Sequence, residues 1–222
     1  VSTLLVYAAA REGTGLRSQV AGTLELGVGK IAASVSLTRA LVESRPSRVV
    51  LVGVCGAYPA RHLRPGQAGL AVGERCVVGS DVLADEGLEG PAGFVDLGRM
   101  DLGAVGPFVA EVAETAAVAE LLGCPIVRGA TVSTCAGVEA LSATYAARTG
   151  AQVETMEGAA VALVCARFDV PLIQLRVVSN LTGDRERGGW DLDGAITALE
   201  EAVGALLEVG ALGLLSLPPR LR

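Results

Sequence analysis

Residues 153–180 read V-E-T-M-E-G-A-A-V-A-L-V-C-A-R-F-D-V-P-L-I-Q-L-R-V-V-S-N, and their order decides the fold class. Positions 158–168 are almost entirely small or apolar, as in a helix covered on most sides. Glu157 heads that helix, where unpaired backbone N–H groups favour an anion. Asp169-Val170-Pro171 ends it, because proline cannot continue the hydrogen-bond ladder and turns its predecessor away from helical backbone. The run 172–178 is continuous and β-prone, typical of a strand buried on both faces of a parallel or mixed sheet. Ser179 and Asn180 then fall at the carboxyl end of that strand, where open α/β sheets place their ligands. Glu157, Arg176 and Asn180 are the polar residues this apolar framework has to explain. Taken singly, they read as a helix-head carboxylate, its ion-pair partner and a turn former.

Working outward, the same alternation recurs. A first core strand is predicted over 3–9, delivering Arg11-Glu12-Gly13 to a strand end. The stretch L-E-L-G-V-G-K-I from Leu24 fails as a phosphate-binding loop on two counts. Leu24 occupies the first glycine position, and Ile31 follows the lysine where Ser or Thr would bind magnesium. A helix is predicted over 32–43, then a strand over 48–53 ending in G-V-C-G-A, whose glycines let a ligand approach the backbone closely. Further strands are predicted over 67–78 and 126–133, with a helix over 107–122. The acidic, glycine-rich segment 80–98 reads as a solvated excursion or as part of a site mouth. Asp191 or Asp193 would cap a terminal helix, whose apolar part, 202–217, is a docking helix rather than a membrane span. The expected fold is therefore α/β, one domain over residues 1–222, with a central mixed sheet flanked by helices.

Composition narrows the function. A hydrophobic fraction of 51% with only 3% aromatics implies an aliphatic core. The net charge of −6 argues against nucleic acid and anionic membrane as partners. Five cysteines without a CxxC pair suggest reduced thiols and a cytoplasmic setting, and no secretory signal is evident. His62 is the single histidine, so neither a histidine-based metal site nor a Ser-His-Asp triad is supported; no metal or cofactor is expected.

The pattern M-E-G-A-A-V-A, then V-P, then L-R-V-V-S-N resembles the purine-nucleoside phosphorylase and hydrolase superfamily. Within it, the chain is most similar to the branch of methylthioadenosine/S-adenosylhomocysteine nucleosidases and futalosine hydrolases. The D-E-G…G-F…L-G segment and the N-x-x-G-x-R…W-D arrangement after Asn180 look like futalosine hydrolases. This resemblance implies a nucleoside phosphorylase/hydrolase-like fold, a purine-nucleoside substrate and a homodimer. It also implies roles. Glu12 matches the glutamate that activates the attacking water, and Glu157 the one that binds ribose hydroxyls. Met156 would pack against the sugar, and Cys55 and Gly56 beside sugar and purine. Ser179 and Asn180 would meet the base. Val132 falls where relatives carry an aromatic residue against the purine, a departure that removes ring stacking.

Cleaving an N-glycosidic bond builds positive charge on the sugar and negative charge on the leaving base. Glu157 is the candidate to stabilise the first, and Glu12 to accept the proton of the water. Asparagine at 180, where methylthioadenosine nucleosidases carry aspartate, is no general acid, but its amide offers both a donor and an acceptor. That suits the 6-oxopurine edge of hypoxanthine, the base of futalosine, better than adenine. The first strand-end loop, A-A-A-R-E-G, lacks the G-D-P-x-R pattern of related phosphorylases, although Arg11 and Arg17 are cations in that region. Futalosine hydrolysis, serving menaquinone synthesis, is thus the leading expectation. A methylthioadenosine/S-adenosylhomocysteine nucleosidase, a purine-nucleoside phosphorylase and a non-catalytic nucleoside-binding protein are the alternatives. Arg61, His62, Arg64 and Arg99 are open candidates to meet the carboxyphenyl group of futalosine.

Overall fold

The computed structural model describes residues 2–184 and 189–214. It begins with β1 (Thr3–Tyr7), the short α1 (Leu16–Gln19), β2 (Thr23–Glu25), α2 (Lys30–Ser44) and β3 (Arg48–Ala57). It continues through β4 (Arg75–Leu83), the hairpin β5 (Gly87–Gly90) and β6 (Gly93–Asp96), β7 (Phe108–Val109) and α3 (Val112–Leu122). The last part holds β8 (Ile126–Thr131), α4 (Glu139–Thr149), β9 (Val153–Thr155), α5 (Gly158–Arg167), β10 (Leu172–Leu181) and α6 (Leu192–Glu208).

The main sheet is mixed, in the order β10-β4-β8-β9-β3-β1-β2, and β10 also pairs with β3. The strands from β10 round to β3 therefore close into a ring. Long β3 makes this possible by dividing one edge: residues 48–51 run parallel to β1, and Gly56 and Ala57 pair antiparallel with β9. Its other edge lies against β10. Cys55, Cys76, Val78, Val127, Val153 and Val178, drawn from all the strands of the ring, form one buried cluster. Small and β-branched side chains suit so narrow an enclosure.

Alternation along β3 then distributes the helices. Val50 and Val52 join Ile173, Leu175 and the α6 residues Leu199, Val203 and Leu206 on one face. Val49 and Leu51 join Leu37 and Leu41 of α2 and Val161 and Cys165 of α5 on the other. This is the period of two expected of a strand buried on both sides. Full burial of each such leucine contributes about 1.5–3 kcal/mol.

Several boundaries differ from the sequence reading. The strand predicted over 67–78 is instead β4, shifted towards the carboxyl end. Its expected first half turns on itself, with Ala71 N–H donating to Glu74 Oε2 at 2.7 Å. Segment 80–98 is not mainly loop: β4 continues to Leu83 beside β8, and β5–β6 forms a hairpin. The helix predicted from 107 starts at Val112, because Glu111 accepts from Ala113 N and Glu114 N and Phe108–Val109 pairs with β4. Strand β8 stops at Thr131 rather than at 133. Asp191, not Asp193, caps α6 by accepting from Gly194 N at 2.8 Å. The apolar helix expected over 202–217 ends at Glu208, with positions 215–217 outside the described residues. Among the described residues, no helix is long and apolar enough to cross a membrane.

Candidate active site

The carboxyl ends of β1, β3 and β10 converge with β9 on a cavity of about 480 Å³. Glu12, Cys55, Gly56, Met156, Glu157, Ser179 and Asn180 all line it, although they come from widely separated parts of the sequence. Ala8, Ala9, Val28, Val54, Leu192 and Ile196 supply much of the remaining apolar wall.

Glu12 is 5% exposed, and its orientation is set by main chain. Its Oε2 accepts from Ala8 N and Ala9 N at 3.0 and 2.9 Å, and its Oε1 accepts from Val54 N at 2.8 Å. The opening between Glu12 and Arg176 requires glycine at position 53. A Cβ there would stand 2.6 Å from Glu12 Oε1 and 2.7 Å from Arg176 Nη1.

Glu157 occupies the position preceding α5 but does not cap it. Thr155 Oγ1 accepts from Gly158 N at 3.2 Å, and Thr131 Oγ1 accepts from Ala159 N at 2.7 Å. Relieved of that task, the Glu157 carboxylate faces the cavity and accepts from Gly29 N at 2.8 Å. Burial raises its pKa above the ordinary glutamate value, while the charge of Arg176 and the Gly29 N–H oppose the shift. Arg176, which taken singly reads as the ion-pair partner of Glu157, acts on it through the field of its charge.

Arg176 is fully buried and belongs to a polar chain running behind the cavity. Its Nε donates to Gln174 Oε1 at 3.1 Å, and Gln174 Nε2 donates to Asp81 Oδ2 at 3.3 Å. Thr131 Oγ1 donates to Asp81 Oδ1 at 3.0 Å. Burial pushes the Asp81 carboxyl up to about 6 against these hydrogen bonds. Arg176 Nη2 is buried without a protein partner. An orphaned guanidinium nitrogen is costly, and the fully buried Arg176 is not itself part of the cavity wall.

Sequence reasoning missed Glu154. It lines the cavity, 5% exposed, accepting from Ala136 N at 2.9 Å and from the Tyr58 hydroxyl at 3.1 Å. Burial pushes its carboxyl up to about 6. The available signal was an acidic residue inside the apolar V-E-T strand, immediately before the M-E-G turn.

Asn180 reaches the cavity through an irregularity in β10. Its pairing with β3 slips between Val178 and Asn180, a bulge of the kind that re-aims a side chain. Ser179 Oγ donates to Asn180 Oδ1 at 2.9 Å, and Asn180 Nδ2 donates to Leu181 O at 3.1 Å. One amide N–H and one carbonyl lone pair remain for a ligand.

Val132 does not line the cavity. It is fully buried with Tyr58, Ala130, Ala136 and Tyr145, because the chain turns off β8 there and Val132 N donates to Thr155 O. Cys135, Ala136 and Gly137 form the wall in that region instead. Arg61, His62, Arg64 and Arg99 also lie off the wall; Arg61 and His62 both bond to Glu139.

A glycine-edged cavity at the carboxyl ends of a mixed sheet, bearing buried carboxylates and a strand-end amide, marks an α/β protein whose site can bind a small polar ligand and offer it acid–base groups. The chain belongs to the phosphorylase superfamily, whose family model matches residues 14–211, and within it to the futalosine hydrolases. It is 32% identical to the futalosine hydrolase of Thermus thermophilus over 187 residues, covering 83% of this chain and 80% of the relative. To the futalosine hydrolase of Acidothermus cellulolyticus it is 34% identical over 195 residues, covering 84% and 75%. The fold matches the 5′-methylthioadenosine/S-adenosylhomocysteine nucleosidase of Colwellia psychrerythraea, solved with adenine, at a TM-score of 0.75 and 20% identity. That match spans 92% of this chain and 93% of the nucleosidase.

Proposed function

We propose that this protein is an N-glycosyl hydrolase that cleaves futalosine to hypoxanthine and dehypoxanthine futalosine, a step of menaquinone synthesis. The observation that carries the catalytic assignment is the pair Glu12 and Glu157, two buried carboxylates facing one cavity from different elements. Glu12, its oxygens aligned by three main-chain donors, orients a water and takes its proton as the oxygen attacks C1′. Arg176 stands behind Glu12, its Nη1 facing the same gap above Gly53. Glu157 accepts from the ribose hydroxyls and opposes the positive charge that develops on the sugar. Met156 packs against the sugar, with Cys55 and Gly56 beside it. Ser179 orients the Asn180 amide. Asn180 donates to N7 or O6 of the departing 6-oxopurine, whose negative charge is quenched by a proton from solvent.

Hydrolysis is favoured over phosphorolysis because Arg11 is the one cationic side chain on the cavity wall among the described residues, whereas a phosphate nucleophile calls for several converging cations. Arg17 is turned to Glu25, Tyr7 and the Ala10 carbonyl. The active form is read as a cytoplasmic homodimer. Ile31, Val35 and Val42 form an exposed apolar stripe on α2, continuing to Val28 on the cavity wall. Five cysteines, three of them buried, suit a reducing compartment.

The deciding experiment measures base release from futalosine, aminofutalosine, methylthioadenosine and inosine, first without phosphate and then with it. Hypoxanthine from futalosine without phosphate is the expected result. Adenine from methylthioadenosine as the dominant product would instead make the protein a methylthioadenosine nucleosidase. Release only with phosphate would make it a phosphorylase, and tight binding without turnover a nucleoside-binding protein.

A further inference from the structure

The four cations that sequence reading offered for the carboxyphenyl group all lie off the cavity wall. Arg11 lies on it, in the turn after β1 and next to Glu12. Beside it the wall is apolar, formed by Ala8 and Ala9 from the end of β1 and by Leu192 and Ile196 from the first turns of α6. Arg11 Nη2 is paired with Asp193 in the first turn of α6. Both partners of that pair face solvent, with side chains 57% and 83% exposed. An ion pair so exposed contributes little, so a second carboxylate can replace Asp193 on Arg11 at small cost. The amino end of a long helix next to the guanidinium adds a field that favours negative charge.

We infer that Arg11 and the apolar wall between β1 and α6 form a subsite for the 5′ side of the substrate, taking an aromatic or aliphatic group that ends in a carboxylate. The inference rests on the function proposed above, because Glu12, Glu157 and Asn180 must hold sugar and base for the 5′ substituent to reach this wall. Arg11 is then a specificity-determining residue and takes no part in bond cleavage. Its planar fork receives the carboxylate through two parallel N–H···O bonds. Asp193 occupies that fork while the subsite is empty, so a carboxylate-free nucleoside leaves the pair closed. The same exchange makes binding of the acidic substrate sensitive to salt, since the contact lies at an exposed mouth.

The test compares kcat/KM for futalosine, its carboxyl methyl ester and inosine in the wild type, Arg11→Gln and Asp193→Asn. In Arg11→Gln the preference for futalosine over its methyl ester should fall about tenfold, carried by KM rather than kcat. In Asp193→Asn, where nothing competes for the guanidinium, the same preference should rise. An unchanged futalosine-to-ester ratio in Arg11→Gln, with the wild type turning futalosine over, overturns the subsite and leaves the proposed function standing. A fall of that ratio in Asp193→Asn overturns the exchange, since Asp193 would then be holding Arg11 in its binding position. If the wild type releases no hypoxanthine from futalosine, the proposed function fails and takes the subsite with it.

Discussion

The Glu12 carboxylate and the Arg176 guanidinium press on the same point above Gly53, which has no side chain to keep them apart from the strand. Alanine at this position would put a methyl group against both, and neither can retreat. Glu12 is tied to three main-chain N–H groups, and Arg176 is fully buried. Gly53→Ala should therefore lower kcat about 100-fold by displacing the base, with a cooperative thermal transition retained. Steady-state kinetics alongside calorimetry checks this. Activity within about twofold of wild type would show that catalysis does not need this gap.

The two carboxylates should fail differently when neutralised. Glu12→Gln keeps the shape but cannot take a proton, so kcat should fall by about 10²–10⁴ with nucleoside binding preserved. Glu157→Gln removes the charge opposite the sugar, and should also abolish the acid limb of the pH–rate profile. Burial raises the Glu157 pKa, so in the wild type activity should fall with decreasing pH at values above the ordinary glutamate range. The profiles of the two variants, measured with one substrate, separate these roles. An acid limb that persists unchanged in Glu157→Gln would move that titration to another group.

The parts of this arrangement legible in the sequence are those fixed by local pattern. Helix α5 and strand β10 stand almost where the apolar run, the V-P break and the β-prone run put them, because burial on both faces leaves no competing period. Asp81 was hidden for the opposite reason. Ser80 and Asp81 look like loop residues, yet Asp81 is buried in β4 because Thr131 and Gln174, 50 and 93 residues away, supply its hydrogen bonds. Closure of the ring through β10 and β3 is likewise non-local and leaves no mark on any single strand. The carboxylate reading of Glu157 needed its context too: a residue heading a helix is ordinarily its cap, and only Thr131 and Thr155 free it for another task.

An exposed apolar stripe makes association testable apart from chemistry. Ile31 and Val35 are 83% and 65% exposed on one face of α2, outside the buried core. The double variant Ile31→Glu, Val35→Glu should convert a dimer into a monomer in sedimentation velocity with little change in circular dichroism. A monomeric wild type would remove the stripe as an interface.

Asp81 gives stability a pH dependence of defined sign. Its carboxyl is held at about 6, above the unfolded value of 3.8, so the folded chain binds this proton more tightly than the unfolded chain. The resulting stabilisation is complete below the unfolded pKa and is lost as pH rises through about 6. Between about pH 5 and pH 8 the loss from this group is on the order of 1 kcal/mol. Asp81→Asn, whose side chain does not titrate, should flatten the fall in unfolding free energy across that interval. Denaturant titrations of both proteins measure the difference. Parallel curves would mean that Asp81 titrates alike in the folded and unfolded chains.

Base selection should turn on Asn180, which follows the β10 bulge and lines the cavity. As asparagine, residue 180 keeps one N–H and one carbonyl lone pair free after bonding Ser179 and Leu181, enough to match O6 or N7 and the N1–H of a 6-oxopurine in turn. Asn180→Asp exchanges the amide for a group that can carry a proton to N7 of an adenine and accept from its 6-amino group, while as a carboxylate it repels O6. The ratio of kcat/KM for futalosine to that for aminofutalosine should therefore drop on the order of 10–100-fold in Asn180→Asp. Because Ser179 Oγ donates to whichever oxygen stands at this position, the new carboxyl should keep its orientation, and the change should appear in substrate choice rather than in folding. Equal losses on both substrates would assign Asn180 to cavity shape and leave base recognition to the wall formed by Cys135, Ala136 and Gly137.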